Sequence, residues 1–277
     1  FPFLLAPLAH QKLAHPEGEL ATATAANAMK TGMVASTLSN FSLENIAQKT
    51  QSTKWFQLYF QNSKTLTLDL VKRAERAGYS ALVITIDAPI NGLRYRPQRA
   101  GFTIPEHIKE SNLLNPETHD TYHSPQRILE SHQSIIFDGF MADAPQWEDI
   151  LWLKQKTTLP IILKGILNPT DAKHAKSVGI DGIIVSNHGG RTLDTLPSSI
   201  HQLPFIRQAV GDQYPILLDS GIRRGTDIFK AIALGAKSVL IGRPQMYSLA
   251  VAGALGVAHM IQLLQQELEI TMALAGC

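Results

Sequence analysis

Eight short apolar runs punctuate this chain at a steady rhythm, with helically spaced stretches between them. The runs are Phe3–Pro7, Gly32–Ser36, Trp55–Tyr59, Ala81–Asp87, Pro160–Lys164, Gly182–Asn187, Pro215–Asp219 and Ser238–Gly242. Runs this short and this rich in Ile, Leu and Val read as strands buried on both faces, the mark of a parallel sheet. The helical patterns between them include Leu66–Ala77, Trp147–Lys156, Thr170–Ser177, Ser198–Val210 and Thr226–Leu234. Glycines 78, 179, 211 and 235 follow helix ends, and Asn168-Pro169 opens a helix, as capping preferences require. Eight strand–helix units predict an α/β fold closed as a (β/α)8 TIM barrel. The alternative is an open doubly wound sheet, which would place a Gly-rich turn directly after the first strand. Pro7-Leu8-Ala9-His10 stands there instead.

A length of 277 residues suits one barrel domain spanning residues 1–277. The net charge is +2, with acids and bases interspersed, which gives no surface for nucleic acid. The single cysteine, Cys277, excludes an internal disulfide and argues against thiol catalysis and Cys-based metal sites, so no metal is expected. No signal peptide is legible, nor an uninterrupted apolar span. Val251–Leu274 is the most apolar helical stretch, but His259, Gln262, Gln265, Gln266, Glu267 and Glu269 interrupt it; it reads as a docked amphipathic helix. The chain opens on a core strand without a polar lead-in, as though a preceding segment were absent. One connection breaks the rhythm: a loop at about 90–145, after strand 4, carries Arg94, Arg96, Arg99 and four His. A loop this long is a lid, a docking surface or a disordered segment, and it leaves the barrel face where active sites are built.

The most informative segment is Ser186-Asn187-His188-Gly189-Gly190-Arg191-Thr192-Leu193-Asp194, entered from Gly182–Val185. His188 can take a proton near neutral pH. Arg191 offers a planar fork that matches a carboxylate, and the glycines admit a flat ligand close to the backbone. The other strand ends agree: Ala9, Ser36, Gln57 with Tyr59, Thr85 with Asp87, Lys164, Asp219 with Arg223, and Gly242 with Arg243 form a polar mouth. Taken singly, Gln57, Thr85, Asp87 and Tyr59 have ordinary structural readings. Lys164 is harder to dismiss, because it closes Ile161-Ile162-Leu163 and points a cation into the mouth. Asp219–Gly225 and Leu240–Pro244 follow strands 7 and 8, where barrels bind phosphate.

On these residues the chain resembles the FMN-dependent α-hydroxy acid oxidoreductases, a family that includes glycolate oxidase and lactate oxidase. The likeness runs nearly end to end, through Ala6–Ala9 with Leu13–Glu19, Trp55–Tyr59, Thr85–Pro89, Leu163–Ile166, Ser186–Asp194, Asp219–Asp227 and Ile241–Pro244. The resemblance implies FMN as cofactor. It implies His188 as the base that takes the substrate proton, Asp87 as the partner of that imidazole, Arg191 and Arg94 as a carboxylate clamp, and Tyr59 as a substrate hydrogen-bond partner. Lys164 would be the cation beside the flavin pyrimidine edge. Pro7, Leu8, Ala9, Ser36, Gln57, Thr85 and Ser186 would contact the ring, Asp219 the ribityl chain, and Gly221, Arg223, Gly242 and Arg243 the phosphate.

The implied reaction is oxidation of a small, lactate-like L-2-hydroxy acid to the 2-oxo acid, with oxygen, a quinone or a redox protein as electron acceptor. The resemblance also implies homo-oligomeric assembly and a cytoplasmic location, with peripheral contact to the inner face of the membrane as the alternative. Members carry a helical segment with a carboxylate-binding Tyr ahead of the first strand. This sequence does not supply it, so the expectation is a fragment or a degenerate member. Leu38 falls where relatives vary a pocket-lining side chain, which leaves acid size open, and Ala9 in place of Gly leans away from monooxygenase-type relatives. Two rivals stand beside this reading. A barrel of the inosine-monophosphate dehydrogenase type needs a loop cysteine as nucleophile, and only Cys277 exists. A catalytically silent, truncated flavin- or phosphate-binding barrel would hold flavin without reduction by any hydroxy acid.

Overall fold

In strands of alternating side-chain direction, each apolar run must split its residues between two faces. The computed structural model, which describes residues 1–114 and 128–277, shows that split in every strand. The strands are β1 (Phe3–Leu5), β2 (Gly32–Ser36), β3 (Lys54–Leu58), β4 (Leu82–Thr85), β5 (Ile161–Ile166), β6 (Gly182–Val185), β7 (Ile216–Leu218) and β8 (Ser238–Ile241). All pair in parallel and in sequence order, and β8 returns to β1 to close the barrel. Leu4, Val34, Val83, Ile162, Ile184, Leu217 and Leu240 meet inside the barrel. Their neighbours, such as Leu5, Phe56, Ile84, Leu163 and Ile183, face the helices in the outer core. Each such Leu or Ile taken fully out of water stabilises the fold by about 1.5–3 kcal/mol.

The surrounding helices are α1 (Gly18–Ala28), α2 (Leu43–Gln48), α3 (Lys64–Arg76), α4 (Tyr95–Arg99), α5 (Trp147–Lys154), α6 (Pro169–Ser177), α7 (Ser199–Val210), α8 (Gly225–Ala233) and α9 (Arg243–Ala275). Local chemistry sets their starts. Ser42, Ser63 and Asn168 cap α2, α3 and α6 with side-chain oxygens, and Pro169 sits at the first position of α6, where its missing N–H costs nothing. α9 breaks at Ala252 and Gly253, whose backbone is non-helical. It is long and apolar enough to cross a membrane by length and composition. Yet Leu249, Val257, Ile261 and Leu264 are buried, and α9 packs on α1 and α8, the docking expected for Val251–Leu274.

The connection after β4 is only partly a free span. Asn112 is buried; its Nδ2 donates to the carbonyls of Ser36 and Thr37 at 3.2 and 3.1 Å, and its Oδ1 accepts the Leu43 N–H at 2.8 Å. Ser111 Oγ donates to Asn40 O, and Arg73 to Asn112 O. The loop thus turns back and is pinned over the end of β2. Residues 115–127 of the expected loop lie outside the described residues.

Candidate active site at the barrel mouth

The parity that builds the barrel interior also builds the site. Two residues beyond the inward apolar layer, the same face of each strand carries Ser36, Thr85, Lys164, Ser186, Asp219 and Gly242, and β3 contributes Gln57 at the same level. Ser36, Gln57, Thr85, Lys164, Ser186 and Asp219 are all buried. A closed parallel barrel must converge these positions at its C-terminal end.

One half of the mouth holds a base in a fixed orientation. His188 Nδ1 lies 2.9 Å from Asp87 Oδ1, with the two side chains 18% and 9% exposed. In the tautomer that this contact favours, Nδ1–H donates to the Asp87 carboxylate and Nε2 is left as the proton-accepting nitrogen. The backbone of His188 is left-handed, at φ 57°. Its N–H donates to Ser186 Oγ at 3.0 Å.

The floor beneath is a charge network. Lys164 Nζ donates to Ser186 Oγ at 3.1 Å and pairs with Asp219 Oδ2 at 3.0 Å. Burial works against the ammonium, but Asp219 and then Asp87 outweigh it and hold Lys164 protonated above its ordinary range. Ser220 Oγ donates to Asp219 Oδ1 at 2.8 Å and accepts the Gly189 N–H at 2.9 Å. The amides of both His188 and Gly189 are therefore tied, through two serines, to one buried ion pair.

The other half gathers cations that have no acidic partner among the described residues. Arg191 is pulled below its ordinary value by burial and then by the nearby guanidinium groups of Arg94 and Arg243. The buried Nε of Arg94 has no partner among the described residues, and its Nη2 reaches only Asn91 Oδ1, at 3.4 Å. Gly92 makes the approach possible: a Cβ there would stand 2.4 Å from the Thr192 carbonyl oxygen, so only glycine lets the β4 loop lie on the Arg191 loop. The Tyr59 hydroxyl feels the same cluster. Burial raises it, Asp87 adds to the rise, and Lys164, Arg191 and Arg94 oppose it.

Several features fit a flat, phosphate-bearing cofactor. The Gln57 Oε1 accepts Ser36 Oγ and Thr37 N–H, each at 3.2 Å, while its buried Nε2 is left without a partner among the described residues. A donor left bare there is costly unless a ligand accepts from it. Gly221 and Gly242 face open space, and a cavity of about 250 Å3 is lined by Gly189, Gly190, Ser220, Gly221 and Arg243. Gly242–Arg243 opens α9, which aims backbone N–H groups and a cation at that cavity. Arg243 meanwhile donates to Gly189 O at 2.8 Å. Pro7, Leu8 and Ala9 follow β1 and are half-buried. Arg223 is exposed, and its backbone N–H donates to Asp227 Oδ2 at 3.0 Å, a cap on α8. A larger cavity, about 490 Å3, lies away from the mouth, beside Glu44, Lys54, Arg73 and Arg76.

Sequence reasoning did not single out Ser220 or Thr37. Thr37 Oγ1 donates to Gln57 O at 2.6 Å and accepts the Tyr59 N–H at 3.1 Å, so it fixes Gln57 in β3 and Tyr59 just beyond it. Ser220 has φ 75°, a strained setting for a residue with a side chain. Its place between Asp219 and Gly221 was the available signal.

The sequence profile of the family described as FMN-dependent dehydrogenase matches residues 1–277. The chain is 51% identical to an L-lactate oxidase of Alicycliphilus denitrificans, over all of this chain and 74% of that protein. It is 45% identical to a peroxisomal (S)-2-hydroxyacid oxidase of Arabidopsis thaliana, over all of this chain and 74% of that one. Among solved structures, a mandelate oxidase with (S)-2-phenylpropionate superposes with a TM-score of 0.87 at 42% identity, covering all of this chain and 75% of the other. A profile match over the whole length, on a barrel whose mouth suits a phosphate-bearing flavin, makes this chain a member of the FMN-dependent dehydrogenase family.

Proposed function

We propose that the chain oxidises a small L-2-hydroxy acid of lactate size to the 2-oxo acid and passes the electrons to oxygen. The observation that carries this reading is the pair Arg94 and Arg191, which lack acidic partners among the described residues and act on the same Tyr59 hydroxyl as Asp87, the carboxylate that orients His188. That is a seat for a carboxylate beside a base. The similarity to an L-lactate oxidase and to (S)-2-hydroxyacid oxidases supports the substrate class and the acceptor.

Each residue has a task in this scheme. Arg191 and Arg94 bind the substrate carboxylate, and the Tyr59 hydroxyl hydrogen-bonds the substrate. His188 Nε2 takes the proton that the substrate releases, and Asp87 steadies the imidazolium so formed. FMN, when bound, supplies the acceptor for the electron pair leaving the α-carbon. Ser36, Gln57, Thr85, Ser186 and the Pro7–Ala9 backbone would hold its ring, Asp219 its ribityl chain, and Gly221, Gly242, Arg243 and Arg223 its phosphate. Lys164, kept charged by Asp219, offers a fixed positive charge where negative charge collects. The assembled His188, Asp87, Lys164 and Arg191 leave the silent-barrel alternative without support.

The test is peroxide formation from L-lactate. The parent should form one pyruvate per peroxide, and His188→Gln should keep FMN but lose about 10²- to 10⁴-fold in turnover, the share a positioned base supplies. Near-parental turnover in that variant refutes the assignment. A cytoplasmic location and homo-oligomeric assembly belong to the same proposal, tested by cell fractionation and by sizing of the purified protein.

A further inference from the structure

β5 runs two residues past Lys164, to Ile166, through an irregularity in its pairing with β6 between those two residues. Gly165 sits in that irregularity at φ 114°, a region that residues with a Cβ rarely enter. Bulges of this kind re-aim the chain next to active sites. Here the backbone it displaces lies against Asp87. A Cβ on Gly165 would stand 2.5 Å from Asp87 Cβ, 2.7 Å from its Cγ and 2.9 Å from its backbone N. The Ile86 N–H donates to Lys164 O at 2.9 Å, so the β4 end is tied to β5 one residue before the glycine and cannot simply step back.

We infer that Gly165 is a positioning residue: its bare backbone is the shelf on which Asp87 rests, and the shelf sets the reach of Asp87 to His188. The inference rests on the reading of His188 as the base. The Asp87–His188 contact is 2.9 Å, and a shift of about 1 Å in Asp87 would break it. Any side chain at 165 forces such a shift, because the obstructing atoms are the stem and backbone of Asp87 and not the end of a flexible side chain. Lys164, whose Nζ is held by Asp219 and Ser186, keeps its own anchors.

The test compares the FMN-loaded parent with Gly165→Ala, Asp87→Asn and the double variant. Gly165→Ala should keep FMN and an unchanged KM while kcat falls about 100-fold, the scale of a 1 Å misplacement. In the Asp87→Asn background the same change should cost less than about twofold, because its effect passes through that carboxylate. A direct readout is the downfield proton resonance of the hydrogen-bonded imidazole N–H, assigned by its loss in His188→Gln; Gly165→Ala should shift or remove it. Parental kcat with an unmoved resonance, or an undiminished loss in the Asp87→Asn background, overturns the inference. Normal turnover in His188→Gln would instead overturn the base assignment beneath it. If Gly165→Ala does not fold, Asp87→Gly is added to remove the two nearest obstacles. Recovery of a folded, FMN-binding protein supports the shelf, and continued failure overturns it.

Discussion

Replacing Asp87 by Asn keeps the shape of the side chain and removes its charge. In the parent, Asp87 Oδ1 is 2.9 Å from His188 Nδ1, and both side chains are largely buried. With charge centres about 4 Å apart and an effective dielectric near 20, the Coulomb attraction that the substitution removes from a forming imidazolium is about 4 kcal/mol. At about 1.4 kcal/mol per decade, that is a loss on the order of 10³-fold in turnover. The tautomer works in the same direction. An amide nitrogen facing Nδ1 draws the proton to Nε2, the atom that must accept from the substrate. The assay is kcat and KM for L-lactate in the FMN-loaded variant, with flavin content checked by absorbance. The loss should fall on kcat, since the carboxylate clamp is untouched. A loss below about tenfold, or one carried by KM alone, would show that Asp87 does not act through the imidazolium.

Two further variants probe other parts of the mouth and its supports. Arg243→Ala should raise the FMN dissociation constant about 10- to 100-fold, the scale of a charge-assisted bond to phosphate; unchanged affinity by fluorescence titration would remove Arg243 from the phosphate site. Glu19 is fully buried, accepts the Gln11 and Asn40 N–H groups on one oxygen, and is pushed above its ordinary range by burial, against those hydrogen bonds and Lys12. A raised carboxylate favours folding below its unfolded value and loses that advantage as pH rises through the folded one. Glu19→Gln should therefore match the parent in thermal midpoint near pH 4 and exceed it at pH 7.5; an equal offset at both would refute the burial argument.

The barrel was legible because burial on both faces leaves an apolar run in each strand, and eight such runs admit few arrangements. β2 matches its predicted run, Gly32–Ser36, but six of the eight predicted strands run too far at their C-terminal ends. Pro7, Tyr59, Asp87 and Asn187 lie beyond the strands, where the chain turns toward the mouth, while Asp219, one residue past β7, still donates its N–H to Val185 O at 3.1 Å. β5 errs the other way, ending at Ile166 and not Lys164, since a glycine bulge carries no apolar signal. His188, Lys164 and Arg191 were legible as reactive side chains at strand ends. That Asp87 lies beside His188 came only from resemblance: they are 101 positions apart, and their meeting depends on the packing of two strand ends. Ser220 and Thr37 stayed hidden because a hydroxyl that bridges backbone groups resembles any turn serine or threonine. Asn112 was equally silent, as a polar residue in a long loop gives no sign that it is buried.

The most direct test of the account is the visible spectrum of the FMN-loaded protein under anaerobic conditions, before and after L-lactate. The account requires the bound flavin to bleach in the parent and to stay oxidised in His188→Gln, which retains FMN. Bound flavin that remains oxidised in the parent with lactate, glycolate and mandelate alike would contradict it.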